Sequence, residues 1–174
     1  KKAAYWLEKA AEQGMPHAQS RLANMYANGQ GVPRDYEKAV YWYQKAADQN
    51  DVYAQANLGT AYYYGRGVPR NYEKAAYWYQ KAAEQGFAKA QNDLAIVYIT
   101  GDGVPRNYRK AFEWLRKAAG QGYPEAQLNL GLMYANGQGT KKNYLYAYVL
   151  LNYAAATVES AREIRDRLET KMTQ

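Results

Sequence analysis

Four copies of one eight-residue block limit what this chain can fold into. Gly29-Gln30-Gly31-Val32-Pro33-Arg34-Asp35-Tyr36 returns as Gly65-Arg66-Gly67-Val68-Pro69-Arg70-Asn71-Tyr72 and as Gly101-Asp102-Gly103-Val104-Pro105-Arg106-Asn107-Tyr108. A worn copy runs Gly137-Gln138-Gly139-Thr140-Lys141-Lys142-Asn143-Tyr144, and each copy starts 36 residues after the last. A fixed period of this size marks stacked units that each touch mainly their neighbours. Locally the block is a helix stop, a turn and a helix start. Its first Gly suits the left-handed residue that ends a helix. The second Gly and the Pro delay the next helix. Asp35, Asn71, Asn107 and Asn143 offer side-chain oxygens to the free N–H groups that open it.

Two helical patterns lie between successive blocks. The first, helix A, is expected over 16–28, 52–64, 88–100 and 124–136, with Ala18, Leu22 and Tyr26 and their counterparts spaced i, i+4, i+8 along one stripe. The second, helix B, is expected over 36–49, 72–85, 108–121 and 144–156. Its apolar face in the first unit is Tyr36, Ala39, Val40, Tyr43, Ala46 and Ala47. Gly86, Gly122 and, in the equivalent place, Asn50 end these helices. After Ala155 the pattern changes. Ala161, Ile164, Leu168 and Met172 make one narrow apolar stripe among charged neighbours, as a terminal cap requires.

The expected fold is therefore all-α, a right-handed solenoid of helix-turn-helix repeats. It divides into a partial repeat at 1–14 carrying only helix B, full repeats at 15–50, 51–86, 87–122 and 123–158, and a C-terminal capping helix at 159–174. Residues 1–14 align with the second half of a repeat and begin with Lys1, so the sequence reads as part of a longer chain.

The repeated string Ala-x-x-x-Leu-Gly-x-x-Tyr-x-x-Gly-x-Gly-Val-x-x-Asn-Tyr-x-Lys-Ala-x-x-Trp-x-x-Lys-Ala-Ala-x-x-Gly resembles the Sel-1-like repeat, a relative of the tetratricopeptide repeat. In one unit Ala54, Leu58, Gly59, Tyr62, Gly65, Gly67, Val68, Asn71, Lys74, Ala75, Trp78, Lys81, Ala82, Ala83 and Gly86 match it. Asn50, Ala23, Ala95 and the loop Thr140-Lys141-Lys142 depart from it. The resemblance implies an adaptor that binds protein partners, with helix A lining a concave surface. Some bacterial members of the family are disulfide-rich; this chain has no Cys and is less similar to them.

Little in the sequence points to catalysis. His17 is the sole histidine, and Ser20 one turn away is its only nearby nucleophile; a triad needs a third group and an oxyanion site. One His and scattered carboxylates make a poor metal set. The Gly-x-Gly loop joins two helices and lacks the third Gly of a dinucleotide fingerprint. No enzyme activity and no cofactor are expected. With a mean hydropathy of −0.74, no segment suits membrane insertion. The absence of Cys tilts the expected location slightly from cytoplasmic towards periplasmic or secreted, although a repeat with no place for Cys explains it equally well.

The net charge is +7. Arg34, Arg70, Arg106 and Lys142 recur with the period and are expected to line one edge. That edge supplies the alternative function, binding of an acidic envelope polymer or glycan. Glu37, Glu73 and Asp102 interrupt it, and nucleic acid is not expected as a partner. The leading expectation is a scaffold that binds a protein or peptide through helix A positions that vary between units. These are His17, Ser20, Asn24 and Asn28 in the first; Tyr53, Asn57, Thr60 and Tyr64 in the second. Lys89, Asn92, Ile96 and Thr100 follow in the third, and Leu128, Leu132 and Asn136 in the fourth. Such a mixture suits an extended peptide. One tetratricopeptide subgroup clamps a terminal carboxylate in this groove with Lys and Asn. Asn24, Asn57 and Lys89 agree with that pattern, whereas Ser20 and Asp93 depart from it.

Overall fold

The structure, a computed structural model, describes residues 2–172, with side chains from Tyr5 onward. The described residues form ten helices and no strand. They gather into two compact units, one ending at Gln85 and the other beginning at Gly86. The first holds α1 (Lys2–Glu12), α2 (Pro16–Asn28), α3 (Tyr36–Ala47), α4 (Val52–Tyr64) and α5 (Tyr72–Glu84). The second holds α6 (Ala88–Thr100), α7 (Tyr108–Gly120), α8 (Pro124–Asn136), α9 (Tyr144–Ala154) and α10 (Glu159–Met172). Within each unit every helix packs on its sequence neighbours, and α6 also touches α8.

The A helices α2, α4, α6 and α8 span the residues the sequence assigns to them. The B helices stop one or two residues early. Their last turn tightens into i→i−3 bonds, such as Gln49 N–H to the Ala46 carbonyl and Gly122 N–H to the Ala119 carbonyl. Asn50, the one non-glycine at positive φ among the described residues, takes the left-handed position after α3 (φ 64°); Asn tolerates it better than most side chains do. In the cap, Ala161 and Leu168 are buried and Ile164 half-buried, but Met172 is exposed. The expected stripe is thus one turn shorter. Residues 173–174 lie outside the described part.

The loops behave as the block predicts. Gly29, Gly65, Gly101 and Gly137 close the A helices at φ between 68° and 83°. In three of them the following N–H reaches back five residues, as from Gln30 to Met25, which satisfies another free carbonyl. Asp35, Asn71, Asn107 and Asn143 accept from the third backbone N–H of the next helix at 2.9–3.0 Å. The second loop glycine has a different reason to be there. A Cβ on Gly67 would overlap the Tyr36 carbonyl oxygen, and one on Gly139 would overlap that of Tyr108. The loop can lie against the start of the preceding B helix only without a side chain.

A buried glutamine cross-links the helices. Gln19 Nε2 donates to the Ala11 carbonyl at the end of α1, and its Oε1 accepts from Gln49 Nε2 beyond α3. Gln55 repeats both contacts, to the Ala47 carbonyl and from Gln85. In the second unit Gln91 accepts from Gln121. Around these bridges the first core packs Leu22, Tyr26, Trp42, Tyr43 and Leu58 with small Ala residues that bring the helices close. In the second unit Leu115, Leu130 and Met133 form one cluster, and Leu151 and Leu168 anchor the cap.

Two comparisons test this account by urea unfolding. Leu58 is fully buried, so Leu58→Ala should cost about 2–5 kcal/mol; Arg70→Ala, which loses one exposed ring contact, should cost about 0.5–1 kcal/mol. Gln55→Ala should cost about 1–3 kcal/mol, because it removes two hydrogen bonds worth about 0.5–1.5 kcal/mol each, one to the Ala47 carbonyl and one from Gln85. A Gln55→Ala midpoint equal to that of the parent would remove the bridge from the list of stabilising contacts.

Candidate functional site

The structure treats the expected binding residues unevenly. In the first unit Asn24, Asn28, Asn57 and Thr60 converge on one cleft of about 210 Å³. His17, Tyr53 and Tyr64 are exposed outside it. Ser20 is buried and cannot face a partner, which corrects the expectation. In the second unit Asn92 is buried too, accepting from Asn129 Nδ2 at 2.9 Å. Lys89 is held by Asp93 at 2.7 Å, one turn along α6, so the carboxylate-clamp pattern loses its cation to its own helix. Thr100 bonds to Asp102 at 2.8 Å, and Ile96 and Leu128 are half-buried. Leu132 and Asn136 line a groove of about 290 Å³ whose other wall is Ile164, Arg167, Leu168 and Lys171 of the cap helix.

The cleft in the first unit is built by three helices. α2 supplies Asn24, Ala27 and Asn28; α3 supplies Tyr36, Ala39, Val40 and Tyr43; α4 supplies Asn57, Thr60 and Ala61, and Arg66 follows in the loop. Tyr43 O–H donates to Asn24 Oδ1 at 2.6 Å, and Asn57 Nδ2 donates to the same oxygen at 3.2 Å. Burial pushes the Tyr43 phenol well above its usual range, so it stays protonated and remains the donor. With Asn24 Oδ1 taken twice, the cleft offers more donors than acceptors: the amide N–H groups of Asn24, Asn28 and Asn57 and the Arg66 guanidinium, against the side-chain oxygens of Asn28 and Asn57. Arg66 rests over the Tyr64 ring at 5.0 Å. No carboxylate lines the cleft. It is therefore shaped for acceptor oxygens.

Helix B residues in the cleft escape a reading that assigns recognition to helix A alone. Yet the sequence carries a signal for them. The helix A positions 24, 60, 96 and 132 read Asn, Thr, Ile, Leu, and the helix B positions nineteen further on read Tyr43, Tyr79, Leu115, Leu151. The first two pairs are hydrogen-bonded, Tyr43 to Asn24 and Tyr79 to Thr60 at 3.2 Å. Polar goes with polar and apolar with apolar. Part of the variation along helix A thus follows the helix opposite it within the repeat.

The periodic cations also find partners at home. Arg34, Arg70, Arg106 and Lys142 each sit over the ring of the Tyr two residues on, at 5.3–5.8 Å. The stems of the three arginines pass about 3.3 Å from where the first loop glycine would carry a Cβ. Lys38, Lys74 and Lys110 cover Tyr26, Tyr62 and Tyr98 in the same way. In the last repeat Tyr146 takes that lysine's place and stacks on Tyr134. The recurrence of these cations is accounted for by local packing, and the acidic-polymer reading gains no support from it. Among the described residues no group of three His, Asp or Glu side chains could hold a metal. No helix among them is long and apolar enough to cross a membrane.

Helix-turn-helix units with these loops and a 36-residue period define a class of repeat protein. The Sel1 repeat model matches residues 1–15, 16–51, 52–87, 88–123 and 124–156, and the chain belongs to that family. A protective antigen of uropathogenic Escherichia coli strains, displaying an SLR fold, is 41% identical with a TM-score of 0.84, over 88% of this chain and 33% of that one. A Sel1 repeat protein from Oxalobacter formigenes is 34% identical with a TM-score of 0.88, over 94% of this chain and 65% of that one. The Helicobacter pylori cysteine rich protein B is 27% identical with a TM-score of 0.59, over 79% of this chain and 99% of that one. The chain thus spans a third of the first relative and under two thirds of the second. Comparison with curated proteins gave no match.

If residues 60 and 79 form one unit, exchanging both should cost less than the sum of the single changes. Thr60→Ile and Tyr79→Leu, which install the residues of the next repeat, should each destabilise by about 1 kcal/mol or more. The double variant should recover at least about 0.5 kcal/mol of the sum in a double-mutant cycle. Strict additivity would uncouple the two positions.

Proposed function

We propose that the chain is a protein-interaction module that takes an extended segment of a partner protein in the Asn24–Asn57–Arg66 cleft. Sel1 repeats generally serve as protein–protein interaction modules, which supports the broad reading. The observation that carries the finer one is the excess of donors in a cleft without carboxylates. A peptide backbone offers carbonyl oxygens to Asn24 and Asn57, and an acidic side chain of the partner pairs with Arg66. Tyr64 holds Arg66 in place from below and adds a broad aromatic surface at the cleft's edge.

Helices from successive repeats hold the two amides, so peptide affinity depends on their spacing as well as their chemistry. No catalytic step is assigned to the chain. The sole histidine, His17, stands exposed at the start of α2.

Selection from a displayed random-peptide library on the 174-residue chain tests the reading. Enriched peptides should carry an Asp or Glu, and their affinity should fall at least tenfold, about 1.4 kcal/mol, in Asn57→Ala with Arg66→Ala. Circular dichroism should show the fold intact. Enriched peptides indifferent to both substitutions would move the site elsewhere; no enrichment at all would overturn peptide binding.

A further inference from the structure

The outer face of α9 departs from every other B helix. At the three positions that α3 fills with Glu37, Tyr41 and Lys45, α5 with Glu73, Tyr77 and Lys81, and α7 with Arg109, Glu113 and Lys117, α9 carries Leu145, Val149 and Tyr153. These three are 65%, 41% and 64% exposed. They lie i, i+4, i+8, on one stripe opposite the buried side of Ala147, Leu151 and Ala154. Tyr146 is exposed beside them, and Tyr144 is partly exposed at the start of the helix. The cap helix packs against α9 elsewhere, through Ala161, Ile164 and Leu168, and leaves the stripe open.

The surrounding charge says what covers it. From Ala126 to Val158 the chain has no Asp or Glu, and α9 itself has no charged residue. Exposed Lys141 and Lys142 stand in the loop at its N-terminal end, Lys142 reaching over the Tyr144 ring. On the cap side Arg165 bonds to Asn152 and pairs with Asp166, so it neither adds to nor cancels those lysines. From this we infer that the α9 stripe docks the protein on an anionic lipid surface. Leu145 and Val149 enter the acyl boundary, Tyr hydroxyls stay at headgroup depth, and Lys141 and Lys142 meet lipid phosphates. Five partly exposed side chains on one helix fall short of the ~800 Å² per partner of a standard protein interface. A lipid surface imposes no such minimum, and the chain's net charge of +7 favours it over a second copy. Docking of this kind needs no spanning helix.

The test exchanges repeats. Leu145→Arg, Val149→Glu and Tyr153→Lys together install the residues of α7, a stripe that already works in a folded helix of this chain. The exchange also raises the net charge by one, so bulk attraction to anions is not reduced. In co-sedimentation with vesicles of about 30% phosphatidylglycerol in phosphatidylcholine at low salt, the parent should bind, and pure phosphatidylcholine should bind at least tenfold less. About 500 mM salt should weaken binding markedly. The exchange variant, helical by circular dichroism, should lose at least tenfold. Equal binding by the variant would overturn the proposal in favour of diffuse charge. Absence of vesicle binding by the parent would overturn it outright, and a dimer that the exchange dissolves in analytical ultracentrifugation would hand the stripe to a second copy.

Discussion

The buried glutamines are the contacts on which the stacking depends. A helix can bury an amide only if both its ends are satisfied, since an unpaired polar group in the interior costs about 1–3 kcal/mol. Gln19 and Gln55 meet that demand by reaching out of their own helix in two directions, to the end of the preceding B helix and to the glutamine after the following one. The condition fixes distance and rotation at once. Leucine packing alone tolerates sliding; an amide with a carbonyl on one side and an amide on the other does not. Small alanines then set how near the helices come, and Leu22 and Leu58 fill what remains.

The same economy explains the charge pattern. A row of periodic cations on a protein of net charge +7 invites a search for an anionic ligand. Here each of Arg34, Arg70, Arg106 and Lys142 lies over the tyrosine that opens the next helix. Individually such contacts are weak, about 0.5–1 kcal/mol at exposed sites. Multiplied along the chain they give many of the tyrosines and many of the basic residues a structural task. The cations that stand out afterwards are those with a different setting: Arg66 at the mouth of a donor-rich cleft, and Lys141 next to an apolar helix face.

Variation between repeats therefore has two origins. Asn24 and Thr60 differ from Ile96 and Leu132 in step with Tyr43, Tyr79, Leu115 and Leu151, which keeps polar groups matched inside the repeat. The change from Arg109, Glu113 and Lys117 to Leu145, Val149 and Tyr153 has no such internal match, because these side chains point to solvent. The second kind calls for a partner outside the repeat.

The sequence by itself determined the all-α architecture, the repeat length, the bounds of the A helices and the caps. These are local matters: a left-handed glycine, a capping Asn and an i, i+4, i+8 stripe act within a few residues of themselves. The one- or two-residue excesses at the ends of the B helices, and Met172 in the cap, were beyond it because fraying and exposure depend on what packs against the last turn. Of the candidate site, Asn24, Asn28, Asn57 and Thr60 were legible as varied helix A positions; Tyr43, Val40 and Arg66 were not, nor was the burial of Ser20 and Asn92. Which way a helix turns a polar side chain depends on the rotation between neighbouring helices, set by contacts about thirty residues apart such as Gln19 with Gln49 and Asn24 with Asn57. Only the tertiary structure brings those atoms within reach of one another.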